Sequence, residues 1–126
     1  MNDNPAPRPI LDVLESDRHI RILYRDIIDY PNQRKLLDRV FELYQGTGKS
    51  RFIVDTRGCE VNYSVLERHK IGEYVAEKFK NNITLACIID KKEVTGIVEN
   101  TSFNRGGTGL KIVTTEKEAL EWIGET

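Results

Sequence analysis

The chain has 126 residues, of which 39% are hydrophobic and 31% charged, with a formal net charge of −1. That length suits one domain able to bury its core without staples, and the composition excludes a disordered or fibrous chain. With 19 basic against 20 acidic side chains there is no basic excess, so nucleic acid is not an expected partner.

Residues 1–9 are polar and proline-spaced and read as a flexible tail ahead of a single domain over residues 10–126. Ile10–Glu15 and Arg18–Tyr24 are short runs rich in Ile, Leu and Val, separated by Ser16-Asp17, which suits a hairpin turn. In the second run Ile20, Ile22 and Tyr24 alternate with Arg21, Leu23 and Arg25, the period of a strand. Pro31 opens a helix carrying Leu36, Leu37, Val40, Phe41 and Tyr44 at helical spacing, and Gly46 is expected to end it. Arg51–Asp55 is a short buried strand.

Ser64 begins a second helix, with Val65, Leu66, Tyr74, Val75 and Phe79 as its apolar positions. The nearly continuous apolar run Ile83–Ile89 is expected to be a central strand covered on both faces. Asp90 is expected to start a weak helix that fades into a loop over Asn100–Gly109. Leu110–Thr114 is a last strand, and Thr115 opens a helix with Ala119, Leu120, Trp122 and Ile123. Three helix starts share one signal, a capping residue followed three positions on by glutamate: Ser64 and Glu67, Asp90 and Glu93, Thr115 and Glu118. A hairpin followed by strand–helix repeats predicts an α/β fold with a single mixed, mostly parallel five-stranded sheet and about four helices.

Several motifs that invite a catalytic reading fail on context. Gly46-Thr47-Gly48-Lys49-Ser50 resembles part of a phosphate loop, but Leu43 stands where that motif needs its first glycine. The segment also leaves a helix and enters a strand, whereas a phosphate loop runs from strand to helix so that helix amides face the anion. Asn104–Gly109 likewise precedes a strand and reads as a flexible turn, with Arg105 a secondary candidate for anion contact. Cys59 and Cys87 form no CxxC pair and no zinc-spaced cluster, so neither a metal nor a cofactor is expected. Cys87 lies in an apolar run and reads as a buried thiol. His19 reads as a surface residue, and His69 has no nucleophile beside it in the chain.

In an open α/β sheet, ligands gather beyond the carboxyl ends of the strands. Here that edge is expected to collect Asp55, Arg57, Tyr63 and Ser64 after one strand and Asp90 and Lys91 after the next. With His69, these are the candidate ligand- or partner-binding residues. The N-terminus lacks the apolar region of a signal peptide, and Ile83–Ile89 is too short to span a bilayer. A cytoplasmic protein without membrane insertion is therefore expected, in which the sequons at Asn62, Asn82 and Asn100 carry no glycan.

The opening hairpin, Phe52-Ile53-Val54-Asp55 followed by Thr56-Arg57-Gly58, and the ending Thr114-Thr115-Glu116-Lys117-Glu118-Ala119-Leu120-Glu121-Trp122-Ile123 together form a familiar pattern. In element order the chain resembles the STAS-like superfamily over roughly residues 10–124, especially the bacterial branch described as STAS and CRAL-TRIO-like and related in fold to anti-sigma-factor antagonists. The resemblance implies a signalling or regulatory role. It also implies a phosphorylatable serine or threonine at the start of the helix after the Arg51–Asp55 strand, where Ser64 stands. The aspartate–serine–serine–glycine context of phosphorylated members is replaced here by Val61-Asn62-Tyr63-Ser64.

The expectation is thus a non-enzymatic interaction or regulatory module with a protein partner, which includes a second copy of itself. One alternative is a small-molecule or lipid carrier, suggested by the CRAL-TRIO side of the resemblance. The other is a small hydrolase or transferase, which needs Asp55, Cys59 and His69 to converge.

Overall fold

The computed structural model describes residues 11–124; the expected tail over residues 1–9 lies outside them. In chain order the elements are β1 (Leu11–Glu15), β2 (Ile20–Tyr24), β3 (Ile28–Asp29), α1 (Tyr30–Thr47), β4 (Arg51–Asp55) and β5 (Val61–Asn62). Then come α2 (Val65–Phe79), β6 (Thr84–Ile88), α3 (Ile97–Asn104), β7 (Leu110–Val113) and α4 (Glu116–Trp122), with a single 3-10 turn at Lys91–Glu93. The main sheet has the strand order β1-β2-β4-β6-β7. Its hairpin β1–β2 is antiparallel, and β2, β4, β6 and β7 run parallel. The fold is therefore the expected α/β architecture, a mixed, mostly parallel five-stranded sheet with four α-helices.

Strand alternation divides the core between the two sheet faces. Phe52 and Val54 of β4, with Leu85 and Cys87 of β6, enter the larger cluster beside Leu36, Leu37 and Val40 of α1 and Ile71, Val75 and Phe79 of α2. Ile53, Ala86 and Ile88 point the other way, onto Ala119 and Ile123 at the α4 end of the chain. Covering on both faces is why β4 and β6 read as unbroken apolar runs.

Three local features differ from the sequence reading. Helix α1 does not stop at Gly46; it reaches Thr47, and Gly48 takes the left-handed cap at φ 75°, its amide donating to Tyr44 O. Asp90 opens no helix: its side chain makes no cap hydrogen bond, and a 3-10 turn follows it. The helix starts later, at Ile97 after a left-handed Gly96, and occupies part of the segment expected to be loop. Tertiary packing overrides weak propensity there, because Ser102 is buried and Val98 packs on the main cluster. Third, β3 and β5 form a two-stranded parallel sheet of their own. Such brief strands carry no periodic signal, yet this pair ties the chain after β2 to the chain after β4.

The other two caps form as read. Ser64 Oγ accepts from Glu67 N while the Glu67 carboxylate accepts from Ser64 N, a complete capping box. Thr115 Oγ1 accepts from Glu118 N at the start of α4.

Candidate functional site

The parallel strands β2, β4 and β6 end on one edge, and the expected polar residues sit there. Asp55 closes β4, and its carboxylate accepts from Arg57 N at 3.1 Å, Arg57 Nε at 3.0 Å and Arg57 Nη2 at 2.7 Å. It also accepts from Arg21 Nη2 at 3.3 Å, and Arg21 in turn bonds Glu116 at the start of α4. Asp90 reaches across from the end of β6 to accept from Gly58 N at 2.8 Å. Gly58 has φ 83°, a turn conformation that glycine adopts without strain. The Asp90 carboxylate thus clamps the β4 loop rather than capping a helix.

Burial alone would raise the Asp55 pKa, but the hydrogen bonds and charge of Arg57, joined by Arg21, outweigh it and hold the carboxyl below its ordinary value. A depressed carboxylate contributes stability that is full above its unfolded value of about 3.9 and is lost as pH falls through the lower folded value. Asp55→Asn is expected to cost about 1.5–3 kcal/mol at neutral pH, the range for hydrogen bonds to a charged group. The gap to wild type should close in acid. Urea titrations across the acid range check this; a gap independent of pH would refute it.

Tyr63 and Ser64 lie at the entrance to α2, delivered there by β5. The Arg68 guanidinium sits 4.8 Å from the Tyr63 ring centroid and 3.9 Å from the Glu93 carboxylate. Burial pushes the Tyr63 hydroxyl up, partly opposed by the Arg68 charge. Behind this pair is an apolar crevice of about 50 Å3 between the sheet and α2 and α3, floored by Val54, Cys87 and Ile112. A water needs about 10–15 Å3 by such a measure, and a drug-sized ligand needs about 300–1,000 Å3. The closed crevice therefore has room for a few waters and not for a lipid.

The edge joins Asp55, Arg57 and Asp90 through the Gly58 loop and gathers Tyr63 and Ser64 with Arg68 and Glu93. Lys91 is exposed beside Asp90. His69 does not join them: it is exposed on α2, with Nδ1 2.9 Å from Thr101 Oγ1 of α3. Cys59 is buried, its Sγ donating to Tyr24 O at 3.1 Å. Asp55, Cys59 and His69 thus hydrogen-bond to three separate sets of partners. His19, expected at the surface, is half-buried and bonded to Ser16. Arg105 ion-pairs with Glu73.

Arg21, Arg68, Glu93 and Glu116 were not among the residues expected at this edge. The strand period places Arg21 away from the main core. Only the register, with Arg21 opposite Ile53 and Leu23 opposite Asp55, brings it to the site.

Both cysteines are free and buried. Burial, with a smaller contribution from Glu99, pushes the Cys87 thiol up to about 12, and Cys59 is raised chiefly by burial too. Both thiols should react slowly with a disulfide reagent in the native protein and rapidly in denaturant. Fast native labelling of Cys87 would contradict its burial.

Among the described residues no cluster of three or more His, Cys, Asp or Glu is arranged to hold a metal ion. No helix among them is long and apolar enough to cross a membrane. The fold and this edge define an α/β sheet domain whose polar groups gather beyond the carboxyl ends of parallel strands. Comparison with protein-family models and with curated proteins found no match.

Proposed function

We propose that the domain is a non-enzymatic interaction or regulatory module of STAS-like type, working in the cytoplasm and binding a protein partner or a second copy of itself through the carboxyl edge. One observation carries this reading. Among the described residues the exposed large apolar side chains are Leu14, Ile27, Val65, Leu66, Val94 and Phe103. Ile27, Val65, Leu66 and Val94 all lie just beyond the carboxyl ends of β2, β4 and β6, at 46%, 61%, 63% and 47% exposure. Exposed apolar surface concentrated beside polar groups is the mark of an interaction site.

Ser64 is the phosphorylation candidate within this reading. A phosphate there would meet free helix amides and the positive end of the α2 dipole. It would also meet the Glu67 carboxylate, so modification would break the capping box and change the charge beside Val65 and Leu66.

The test is partner capture and native mass measurement with matched variants. Leu66→Glu should abolish the complex or self-association while leaving stability within about 0.5 kcal/mol, as for surface changes generally. Phe103→Glu, on the return to the opposite edge, should leave binding intact. A wild-type protein that stays monomeric and captures nothing would overturn the proposal.

The carrier alternative is favoured by the apolar crevice behind Tyr63 and Arg68. At about 50 Å3 it accepts a lipid only if α3 swings away from the sheet. Organic extraction of the purified protein followed by mass spectrometry tests it, and a consistently empty extract would end it.

A further inference from the structure

A second surface, along the groove between α1 and α2, carries chemistry that the carboxyl edge does not use. Arg34 of α1 lies there with its guanidinium carbon 3.7 Å from the Tyr74 ring centroid and 5.8 Å from that of Tyr30. Its Nη1 donates to the Tyr30 hydroxyl at 3.0 Å. Two aromatic rings thus hold a half-buried guanidinium in place, so little rotamer freedom remains to be lost on binding.

What the arginine lacks is an anion. Among the described residues Arg34 makes no ion pair, and neither do Lys70 and Lys78, which line the same groove. Arg34 Nε is buried without a hydrogen-bond partner. The nearby carboxylates are largely committed elsewhere: Asp38 accepts from the Tyr74 hydroxyl and Glu73 from Arg105. Lys78 is held over the Phe41 ring at 4.7 Å. The groove lining thus holds three cations, Arg34, Lys70 and Lys78, against two carboxylates, Glu73 and Glu77, and Glu73 is already paired with Arg105. The lining therefore carries an excess of one positive charge, on a chain whose net charge is −1.

We propose that the α1–α2 groove is a docking site for an acidic segment of a protein partner, with Arg34 as its central anchor. A restrained arginine flanked by tyrosines has the composition of an interface hot spot, and Lys70 and Lys78 supply the complementary charge around it. The groove is open, about 580 Å3, which admits carboxylate side chains from an extended peptide. The groove shares no lining residue with the exposed apolar side chains of the carboxyl edge, although Leu66 lies one helical turn from Lys70, and a peptide-binding assay on the groove reads it independently of any partner at that edge.

The experiment measures fluorescence anisotropy of a labelled octaglutamate peptide with the full chain at low ionic strength, where surface attraction is least screened. Binding is expected, and octalysine should not bind. Arg34→Met should weaken octaglutamate by about tenfold or more, the scale of a hot-spot loss. Lys70→Glu, at an exposed position outside the core, should weaken it by about threefold with an unchanged melting temperature. Lys92→Glu, on the carboxyl edge, should have no effect. The proposal is overturned if octaglutamate does not bind, if Lys70→Glu binds as wild type does, or if Lys92→Glu carries the loss. Displacement by inorganic phosphate, at ionic strength matched with chloride, would also overturn it by reassigning the groove to a small anion.

Discussion

Phe52→Ala is expected to destabilise the domain by about 3–5 kcal/mol, the range for removing a buried aromatic ring. Phe52 is fully buried in β4, the middle strand of the main sheet, paired in register with Ile20 on one side and Leu85 on the other. Its ring enters the larger core cluster, which is shared by α1 and α2. Truncation removes the transfer energy of the ring and leaves a cavity that backbone held on both sides cannot collapse to fill. Against a typical net stability of about 5–15 kcal/mol, that loss is at least about a fifth of the total. Urea unfolding should show a lower midpoint at an unchanged slope. Phe103→Ala is the control: with 68% of Phe103 exposed, the change should stay within about 0.5 kcal/mol. Equal effects of the two substitutions would show that Phe52 is not in the core.

The second large effect is at Gly72, where α2 and α3 meet. A Cβ built there would lie 2.5 Å from Val98 O and 2.7 Å from Thr101 Cβ, so α3 touches α2 backbone to backbone. Two effects oppose each other in Gly72→Ala. Helix propensity favours alanine by about 1 kcal/mol. Overpacking against a fixed carbonyl costs up to about 3 kcal/mol, because the clash partner is backbone and cannot rotate away. Overpacking wins, and a net loss near 2 kcal/mol is expected. The change should also loosen α3, whose Val98 lines the crevice, and so raise binding of a hydrophobic dye. Denaturant titration and dye fluorescence check the two halves separately; a stabilised variant would show that α3 yields without cost.

Gly72 also shows why part of the molecule was hidden from its sequence. Within α2 it reads as a mild defect in a helix, because the pattern of one segment holds no trace of what approaches it. The same limit explains α3 itself. Val94, Thr95 and Gly96 are weak helix residues, so the segment after Asp90 reads as fading helix and then loop. The helix forms instead from Ile97, about two turns later, where Val98 and Ser102 find burial against α2.

The carboxyl edge was legible to a similar depth. Asp55, Arg57, Tyr63, Ser64 and Asp90 could be placed there from strand order alone, since strand–helix repeats put every following loop on one side. The role of each could not. Asp90 followed by Glu93 has the form of a helix cap, yet its carboxylate serves Gly58, which is 32 residues away in the chain. His69 lies near Ser64 in sequence, but the helix turns it towards Thr101.

The sequence by itself determined what depends on neighbours a few residues apart: the hairpin, the alternation that splits Phe52 from Ile53, the capping box at Ser64 and the N-cap at Thr115, and from their order the α/β sheet. These are local because strand period, helix period and cap geometry are all set within one or two turns of chain. Only the tertiary structure decided what depends on register and approach. It set Arg21 beside Asp55, closed α3 onto Gly72, fastened Asp90 to the Gly58 loop, and left Arg34 between two tyrosines with no ion pair among the described residues. Those contacts join residues far apart in the chain, and their energies arise only once packing has fixed the distance between them.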